Sequence, residues 1–207
     1  MFSLMKPEIV VSLPVTRPDD LNKVNKIDGL VELRLDYSTE LPNPEELIPF
    51  KHKVLVTLRD KEEGGRIKYD VDFKAKYLER LNELGILYDV EASFLERRKI
   101  EYVGKIVSAH YFSSLPSTEE IDQLFRKYEG AYTIKVAVAS LPGYRELLSY
   151  VSGKPNATFM PMSNDPIERL AFSLLGSKLL YTYLESPTAQ GQLSYTQAKQ
   201  ILECIFK

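Results

Sequence analysis

Short apolar runs alternate with stretches of helical periodicity along the whole chain. The clearest run, AYTIKVAVA at 131–139, is rich in β-branched residues and shows no polar/apolar alternation. That pattern is typical of a strand buried on both faces, as in parallel sheets. Counting this run, eight apolar runs predict eight strands, at residues 8–15, 29–37, 53–60, 86–93, 105–112, 131–139, 157–163 and 178–185.

Helical candidates lie between and after these runs. The longest places Phe73, Tyr77 and Leu81 on one face of a helix, and Gly85 follows as a stop signal. The candidate that begins at Ser117 has the Ser-x-x-Glu pattern of a capping box. The sequence therefore predicts eight helices, at residues 18–24, 44–48, 70–84, 94–102, 117–128, 142–151, 166–177 and 194–206.

Eight strands that alternate with eight helices are typical of an α/β fold, the (β/α)8 or TIM barrel. Right-handed βαβ crossovers make its strands parallel. We expect one compact domain over residues 1–207, because no linker or low-complexity tract interrupts the chain. An open doubly wound sheet is the rival fold, but it would usually carry a glycine-rich turn after its first strand. Here that turn reads PVTRPDD and contains no glycine.

Composition argues against several classes of protein. The net charge is -2 with both signs interspersed, so we expect neither nucleic acid nor a membrane as partner. One cysteine, Cys204, and two histidines are too few for a disulfide framework or a metal cluster of these residues. No apolar run approaches the length of a membrane span, and the first ten residues lack the apolar core of a signal peptide. We therefore expect a cytoplasmic protein without a metal.

Lys135 stands in the middle of the buried run at 131–139. A lysine there either extends its head group to water or loses its hydration. Desolvation lowers the pKa of the ammonium and gives the free amine that attacks a ketone to form an imine. Taken alone, a lysine in a strand more often extends to water, but the residues at the other strand ends favour imine chemistry.

The carboxyl ends of the predicted strands, where such a barrel has its active site, are rich in charged residues. Burying this many charges is expensive without a function, because each one loses hydration. His110, on the strand before Lys135, can remove and return a proton at neutral pH. Glu63 can hold the other nitrogen of that ring. Arg59 and Arg169 can bind a carboxylate or hydroxyl groups.

Structural roles stay open for single residues of this set. The spacing of two predicts that Glu32, Arg34 and Asp36 share one inward face of the second strand. Glu32 could then form a structural ion pair with Arg34 or with Arg59, as buried charges often do.

Other polar or soft residues near the strand ends have weaker claims on the chemistry. Asp89 and Glu91 suit a supporting role better than a direct one. Met160 and Met162 are more often core residues than ligand contacts. His52 precedes the third strand and is expected at the opposite end of the barrel, where a role in stability is the default.

Together these segments resemble the type I 3-dehydroquinate dehydratases over essentially the whole chain. Any single motif is weak, but eight motifs in the right order on the right strands are a strong resemblance. The eight are VELRLDY (31–37), TLRDKEEGG (57–65), DVEAS (89–93), SAHYF (108–112), KVAV (135–138), FMPMS (159–163), PIERLAFSLLGS (166–177) and TAQGQLS (188–194).

The resemblance implies a role for each matching residue. Lys135 would form the Schiff base, and His110 would be the general acid and base with Glu63 beside it. Arg169 would clamp the substrate carboxylate. The resemblance implies substrate contacts at Glu32, Arg34, Arg59, Arg169, Thr188, Gln192, Met160 and Met162.

The activity implied is dehydration of 3-dehydroquinate to 3-dehydroshikimate in the shikimate pathway, and family members suggest a homodimer. No cofactor is implied, because the lysine imine itself acts as the electron sink. The sequence departs from the family pattern at three points. Thr188 stands where serine is usual, Gln190 replaces the loop proline, and the segment before Arg169 is one residue shorter. We expect Gln190 to make this loop less stiff.

Two rival functions stay open. A Schiff-base aldolase on the same barrel would usually need a phosphate site after strands seven and eight, and those loops suit a lid and a carboxylate better. A non-catalytic barrel that senses metabolites is the other rival. A decayed enzyme of that kind would be expected to lose Lys135 or His110, and both are present.

Overall fold

Eight parallel strands form the centre of the computed structural model, which describes residues 4–207. The order along the sheet is β7-β6-β5-β4-β3-β2-β1-β8, so neighbours in space are mostly neighbours in sequence. Helical crossovers between consecutive strands produce this order. The strands are β1 (Glu8–Pro14), β2 (Leu30–Arg34), β3 (Val54–Thr57), β4 (Leu87–Glu91), β5 (Ile106–Tyr111), β6 (Thr133–Ala139), β7 (Ala157–Met162) and β8 (Leu179–Tyr183).

The sheet curls until its edge strands β7 and β8 meet. The amide of Lys178 donates to the Ala157 carbonyl at 2.8 Å, and the amide of Phe159 donates to the Ser177 hydroxyl at 3.1 Å. The result is a nearly closed barrel with helices between its strands. The predicted α/β fold, a (β/α)8 barrel, is confirmed.

Helices and turns of different length join the strands. The first two connections, Pro18–Lys26 and Pro44–Phe50, are 3-10 segments rather than α-helices. In the second one, Pro49 lacks the amide that an α-helix would need. Six α-helices follow among the described residues, α1 (Val71–Glu83), α2 (Ala92–Arg97), α3 (Thr118–Lys127), α4 (Tyr144–Ser152), α5 (Pro166–Leu174) and α6 (Tyr195–Ile205).

Three predicted boundaries near the site were wrong, and one of them is the end of the third strand, which lies at Thr57 instead of residue 60. The second strand ends at Arg34 instead of residue 37, because the chain turns into a 3-10 segment at Leu35–Tyr37. The helix expected at 94–102 is α2, which begins directly after β4 and ends at Arg97. The capping box at Ser117 is present, and its hydroxyl accepts the amide of Glu120 at 3.2 Å.

The barrel interior changes from apolar to polar along its axis. Near the amino ends of the strands, Val10, Leu55, Ile106 and Leu179 are buried together. Nearer the carboxyl ends, many of the buried side chains are polar or charged: Ser12, Glu32, Thr57, Asp89, Ser108, Lys135 and Thr158. A separate apolar layer lies between the strands and the surrounding helices. Apolar side chains therefore lie below the charged residues inside the barrel, and others surround them between the strands and the helices.

The part of the chain that the structure describes has neither a membrane-spanning helix nor a cluster of metal-ligating side chains. Within residues 4–207, no helix is both long and apolar enough to cross a membrane. The same residues contain no group of three or more His, Cys, Asp or Glu side chains suited to a metal ion. The expectation about a signal peptide concerns the first ten residues, of which 1–3 lie outside the described residues.

Candidate active site

A cavity of about 430 Å³ opens at the carboxyl ends of the strands. The structure brings all the predicted site residues together on its walls, although they come from four strands, one helix and two connecting segments. His52 instead lies at the other end of the barrel, near Glu8 and Leu30. The predicted residues that line the cavity are Glu32, Arg34, Arg59, Glu63, His110, Lys135, Met160, Met162, Arg169, Thr188 and Gln192.

Lys135 projects from β6 into the barrel, and its side chain is only 7% exposed. Its Nζ lies 2.9 Å from Oδ2 of Asp89 and 4.3 Å from the centre of the Tyr181 ring. Burial lowers the pKa of Lys135, while the charge of Asp89 opposes this shift and that of Arg59 adds to it. The lysine is therefore desolvated rather than extended to water, as imine formation requires.

His110 lies on the adjacent strand, two positions beyond the residue that pairs with Lys135. Its Nδ1 is 2.9 Å from Oε2 of Glu63, which also accepts the His110 amide at 3.1 Å. The Ser93 hydroxyl fixes the other Glu63 oxygen at 2.6 Å. Because Glu63 engages Nδ1, Nε2 is the nitrogen left to exchange a proton with a substrate.

The electrostatic surroundings of His110 keep it neutral. Burial, followed by the positive charge of Arg59, lowers its pKa to about 4, although Glu63 opposes this shift. A neutral imidazole can accept a proton at pH 7, which is what a general base must do.

The loop that carries Glu63 folds tightly against the end of β3. A Cβ at Gly65 would come within 1.9 Å of the Arg59 carbonyl oxygen. Only glycine fits so close an approach of two backbone segments. The glycine thus holds Glu63 where it can reach His110.

Arg59 lines the cavity and lies between polar partners. Its Nη1 donates to the Ser108 hydroxyl at 2.6 Å, and its Nη2 donates to Asp89 at 2.7 Å. Burial alone would raise the pKa of the Asp89 carboxyl, but the charges of Arg59 and Lys135 hold it below its ordinary value. Asp89 and Glu91 do not line the cavity but contact residues that do. This position matches the supporting role that the sequence suggested for them.

The second strand supplies one carboxylate and one guanidinium. Glu32 accepts the hydroxyls of Ser12 at 2.6 Å and Thr57 at 2.8 Å. Arg34 makes a two-pronged contact with Asp36, at 2.7 and 2.8 Å. The ion pair considered between Glu32 and Arg34 is therefore replaced by one with Asp36. The 3-10 turn after Arg34 ends the strand alternation, so Asp36 lies beside Arg34 instead of two strand positions above it.

Arg169, on α5, closes another side of the cavity. Its Nη1 donates to the Gln190 carbonyl at 2.8 Å, and its Nη2 lies 3.0 Å from Sδ of Met160. Its Nε is buried and has no hydrogen-bond partner in the described chain. Burial lowers the pKa of Arg169 to about 10, which leaves it a cation at pH 7. A buried cation with neutral partners is suited to an anionic ligand.

The loop after β8 covers the cavity and is held by its own side chains. The side-chain oxygen Oε1 of Gln192 accepts the backbone amides of Thr188 at 2.7 Å and Ala189 at 3.1 Å. The Thr188 hydroxyl lies 3.2 Å from the same oxygen. Thr188 and Gln192, both predicted as lid contacts, thus fix the shape of one loop. We call residues 186–192 the lid loop.

The model of the type I 3-dehydroquinase family matches residues 9–141. The chain belongs to this family. It is 61% identical to the 3-dehydroquinate dehydratase of Metallosphaera sedula, over 97% of this chain and 99% of that one. It is 45% identical to the protein of the same name from Saccharolobus solfataricus, over 97% and 96% of the two chains.

Solved structures of the family share the barrel. The type I 3-dehydroquinate dehydratase of Clostridium difficile superposes with a TM-score of 0.73 at 24% identity, covering 97% of this chain and 92% of that chain. The 3-dehydroquinate dehydratase of Aquifex aeolicus VF5 also gives 0.73 at 24% identity, covering 97% and 99%. At this identity the likeness shows a common fold.

Sequence reasoning missed three residues around the site of this family member. Tyr181 lines the cavity beneath Lys135, and its inward direction follows from strand alternation with Leu179. Phe112 stacks on His110 with ring centres 6.3 Å apart. Lys74 is completely buried on α1, and its place on the apolar face of that helix was the available signal.

The arrangement joins three chemical capacities in one cavity. Lys135 offers an amine, His110 offers a neutral base, and Arg169 offers a cation without a charged partner among the described residues. Such a set can bind an anionic carbonyl compound, form an imine with it and move a proton.

Proposed function

We propose that this chain dehydrates 3-dehydroquinate to 3-dehydroshikimate, as a step of the shikimate pathway, through a Schiff base on Lys135. The observation that carries the proposal is the desolvated amine of Lys135 in one cavity with the neutral imidazole of His110. Family membership and relatives named 3-dehydroquinate dehydratase support it. Lys135 requires no cofactor, because its protonated imine withdraws electrons as a cofactor would.

The reaction would proceed in four steps. The Lys135 amine adds to the substrate ketone, and loss of one water gives the protonated imine. His110 Nε2 then removes a proton from the neighbouring carbon, and the electron pair moves into an enamine. The hydroxyl on the next carbon leaves as water with a proton that His110 returns. A water finally hydrolyses the product imine and frees the lysine, so the net change is loss of one water.

The remaining predicted residues would hold the substrate in place for these steps. Arg169 would bind its carboxylate with the fork of the guanidinium. The polar groups of the barrel would bind its hydroxyls, and the lid loop would exclude water. Besides Arg169, the substrate contacts that we propose are Glu32, Arg34, Arg59, Thr188, Gln192, Met160 and Met162.

Trapping by borohydride tests the proposal, because borohydride reduces an imine to a stable secondary amine. The native protein with 3-dehydroquinate should lose activity and gain an adduct that peptide mapping assigns to Lys135. Lys135→Ala should show neither the adduct nor turnover. His110→Ala should lose roughly 100-fold or more in turnover, as expected for a lost general base, but still form the adduct.

Lys105 gives a matched control for this experiment. Burial lowers its pKa too, but it lies before β5, at the other end of the barrel. Lys105→Ala should therefore keep both adduct and turnover. An adduct on another lysine, or full activity in Lys135→Ala, would contradict the mechanism. If the chain were a Schiff-base aldolase, the absorbance of the enone product 3-dehydroshikimate would not rise. If it were a non-catalytic metabolite sensor, it would bind 3-dehydroquinate without turnover.

The setting of the enzyme is also part of the proposal. We propose that residues 1–207 form one catalytic domain in the cytoplasm, with a small-molecule substrate and neither nucleic acid nor membrane as partner. Resemblance to the family supports a homodimer. Light scattering on the purified protein would contradict the dimer if it gave the mass of a single chain.

A further inference from the structure

Lys74 is a completely buried lysine that the proposed mechanism does not use. It projects from α1, outside the barrel wall, and its side chain is 0% exposed. Its Nζ lies 2.6 Å from Oε2 of Glu91 and 3.3 Å from Oδ2 of Asp60. Lysine is almost never fully buried unless it is paired with an acid, and removing one partner of such a pair is costly. Burying a second lysine this close to the cavity therefore costs free energy, and its role needs a physical explanation.

A continuous chain of alternating charges links Lys74 to Lys135. Glu91, which accepts Lys74 with one oxygen, lies 3.3 Å from Nη1 of Arg59 with the other. Arg59 Nη2 is 2.7 Å from Oδ2 of Asp89, and that same oxygen is 2.9 Å from Lys135 Nζ. All five side chains are less than a tenth exposed. The contacts pass from an outer helix, through the barrel wall, to the amine.

We propose that Lys74 is a positioning residue that satisfies Glu91, leaves Arg59 engaged with Asp89, and so keeps Lys135 available as the free amine. This inference rests on the proposed function, since it assumes that Lys135 forms the imine. It assigns the role to a residue that touches neither the cavity nor the substrate.

Lys74 can affect Lys135 because Glu91 and Asp89 compete for the guanidinium of Arg59. Without Lys74, the charge of Glu91 would draw Arg59 toward itself, and Asp89 would be less neutralised. Asp89 would then stabilise the ammonium of Lys135 more strongly. Loss of a nearby positive charge acts in the same direction, so both effects raise the pKa of Lys135.

Other charged and titratable groups face the two lysines. Around Lys135 these are Asp89 from β4, Arg59 from the end of β3, Glu32 from β2, His110 from β5 and Tyr181 from β8. Only Asp89 among them is in ionic contact with Nζ.

Around Lys74, the aromatic rings of Tyr69 and Phe94 accompany Glu91 and Asp60. Arg97 reaches Asp60 from the surface at 3.2 Å. Asp60 therefore keeps a cation when Lys74 is replaced, whereas Glu91 keeps Arg59 and the amide of Asp60, which donates to it at 3.0 Å.

The test measures the pH at which the Lys135 amine becomes reactive. Lys74→Met keeps an unbranched side chain that is one atom shorter and removes its charge. Reductive trapping of the imine by cyanoborohydride is followed across pH, together with kcat/KM. In Lys74→Met the acid limb of both profiles should move up by about one pH unit, the usual effect of one nearby charge. On the acid limb, activity at a fixed pH should fall roughly 10-fold and recover at high pH.

Glu91→Gln should shift the acid limb of the pH profiles in the opposite direction, and it keeps Lys74 paired with Asp60. It removes a negative charge and frees Arg59 for Asp89, so the acid limb should move to lower pH. Because Lys74 acts through Glu91, adding Lys74→Met to Glu91→Gln should move the limb by less than half of its effect in the native protein. Lys154→Met is the matched control, since it breaks a 2.6 Å ion pair with Asp122 on the surface and should leave both profiles unchanged.

Several results would overturn the role proposed for Lys74. A loss of activity in Lys74→Met that is equal at every pH would mean a purely structural role and would overturn it. Shifts of the two single variants in the same direction would also overturn it. If Lys74→Met does not fold, an unmoved or raised acid limb in Glu91→Gln still rejects the proposal. Absence of any adduct in the native protein would instead refute the proposed function.

Discussion

At the scale of the residue, Arg169 differs from the other cations of the cavity. Arg34, Arg59 and Lys135 each have a carboxylate partner within 3 Å. Arg169 instead donates hydrogen bonds to a backbone carbonyl and a thioether, and its Nε has no partner within the described chain. Its free-energy cost of burial is therefore only partly offset until an anion binds.

Replacing Arg169 by lysine should weaken substrate binding by about 1 to 3 kcal/mol, the range of charge-assisted hydrogen bonds. Lysine keeps the charge but loses the planar fork that matches a carboxylate. Steady-state kinetics should show the loss mainly in KM. Arg80→Lys is the control, because Arg80 pairs with Glu45 and Glu83 on the outer surface and is 45% exposed. Equal kinetics in the two variants would remove Arg169 from the site.

At the scale of the element, the lid loop is shaped by one close approach. Gly191 has a φ of +67°, and a Cβ there would lie 2.2 Å from the Ser163 carbonyl oxygen. That oxygen belongs to the loop after β7, so glycine lets the two loops pack against each other. The contact places Gln192 where it can accept the amides of Thr188 and Ala189.

Gly191→Ala should displace the lid loop and raise KM by roughly 5-fold or more, because a loop that closes over the substrate must keep its shape. Gly104→Ala is the matched control. Gly104 has a φ of +70°, but no atom lies within 4 Å of a Cβ at that position. Both variants should lose about 1 kcal/mol of stability from the left-handed backbone. Protease cleavage at the lid, with and without substrate, gives a second measurement, and equal KM values in the two variants would contradict the role of this contact.

At the scale of the whole molecule, burial of charged and titratable groups makes stability depend on pH. The pKa of His110 is about 4 in the folded protein, against 6.5 for the free side chain. Between these values the unfolded chain binds a proton that the folded protein excludes. The free energy of unfolding is therefore fully retained above about pH 6.5 and decreases as the pH falls toward 4. Asp89, whose pKa lies below its ordinary value, adds a further loss at more acid pH.

His110→Gln should make the stability curve flatter in this window. Its amide can still donate to Glu63 but does not titrate. From pH 7 to pH 4, the free energy of unfolding of the native protein should fall by about 3 kcal/mol more than that of the variant. Denaturant unfolding at several pH values measures both curves. Parallel curves would show that burial does not hold His110 neutral.

Local signals in the sequence were sufficient for the elements and for the reactive groups. Apolar runs, helical periodicity and the Ser117 capping box act over a few residues, and they predicted the order of eight strands and the fold. Side-chain chemistry is also local, so an amine at Lys135 and an imidazole at His110 could be proposed without coordinates. The boundary errors fall where the chain turns sharply, as at Leu35–Tyr37.

Near-neighbour patterns in the sequence were thus enough to predict the alternation of elements, the barrel and the reactive side chains proposed at its carboxyl end. How the buried charges pair depended on the tertiary structure: it paired Arg34 with Asp36 and Lys74 with Glu91, and it made Nδ1 the nitrogen of His110 that the predicted contact with Glu63 engages. It also decided that Lys135 is desolvated rather than extended to water. The physical reason is that pairing and burial depend on strand register and barrel closure, which bring together residues far apart in the chain, whereas periodicity is set by near neighbours.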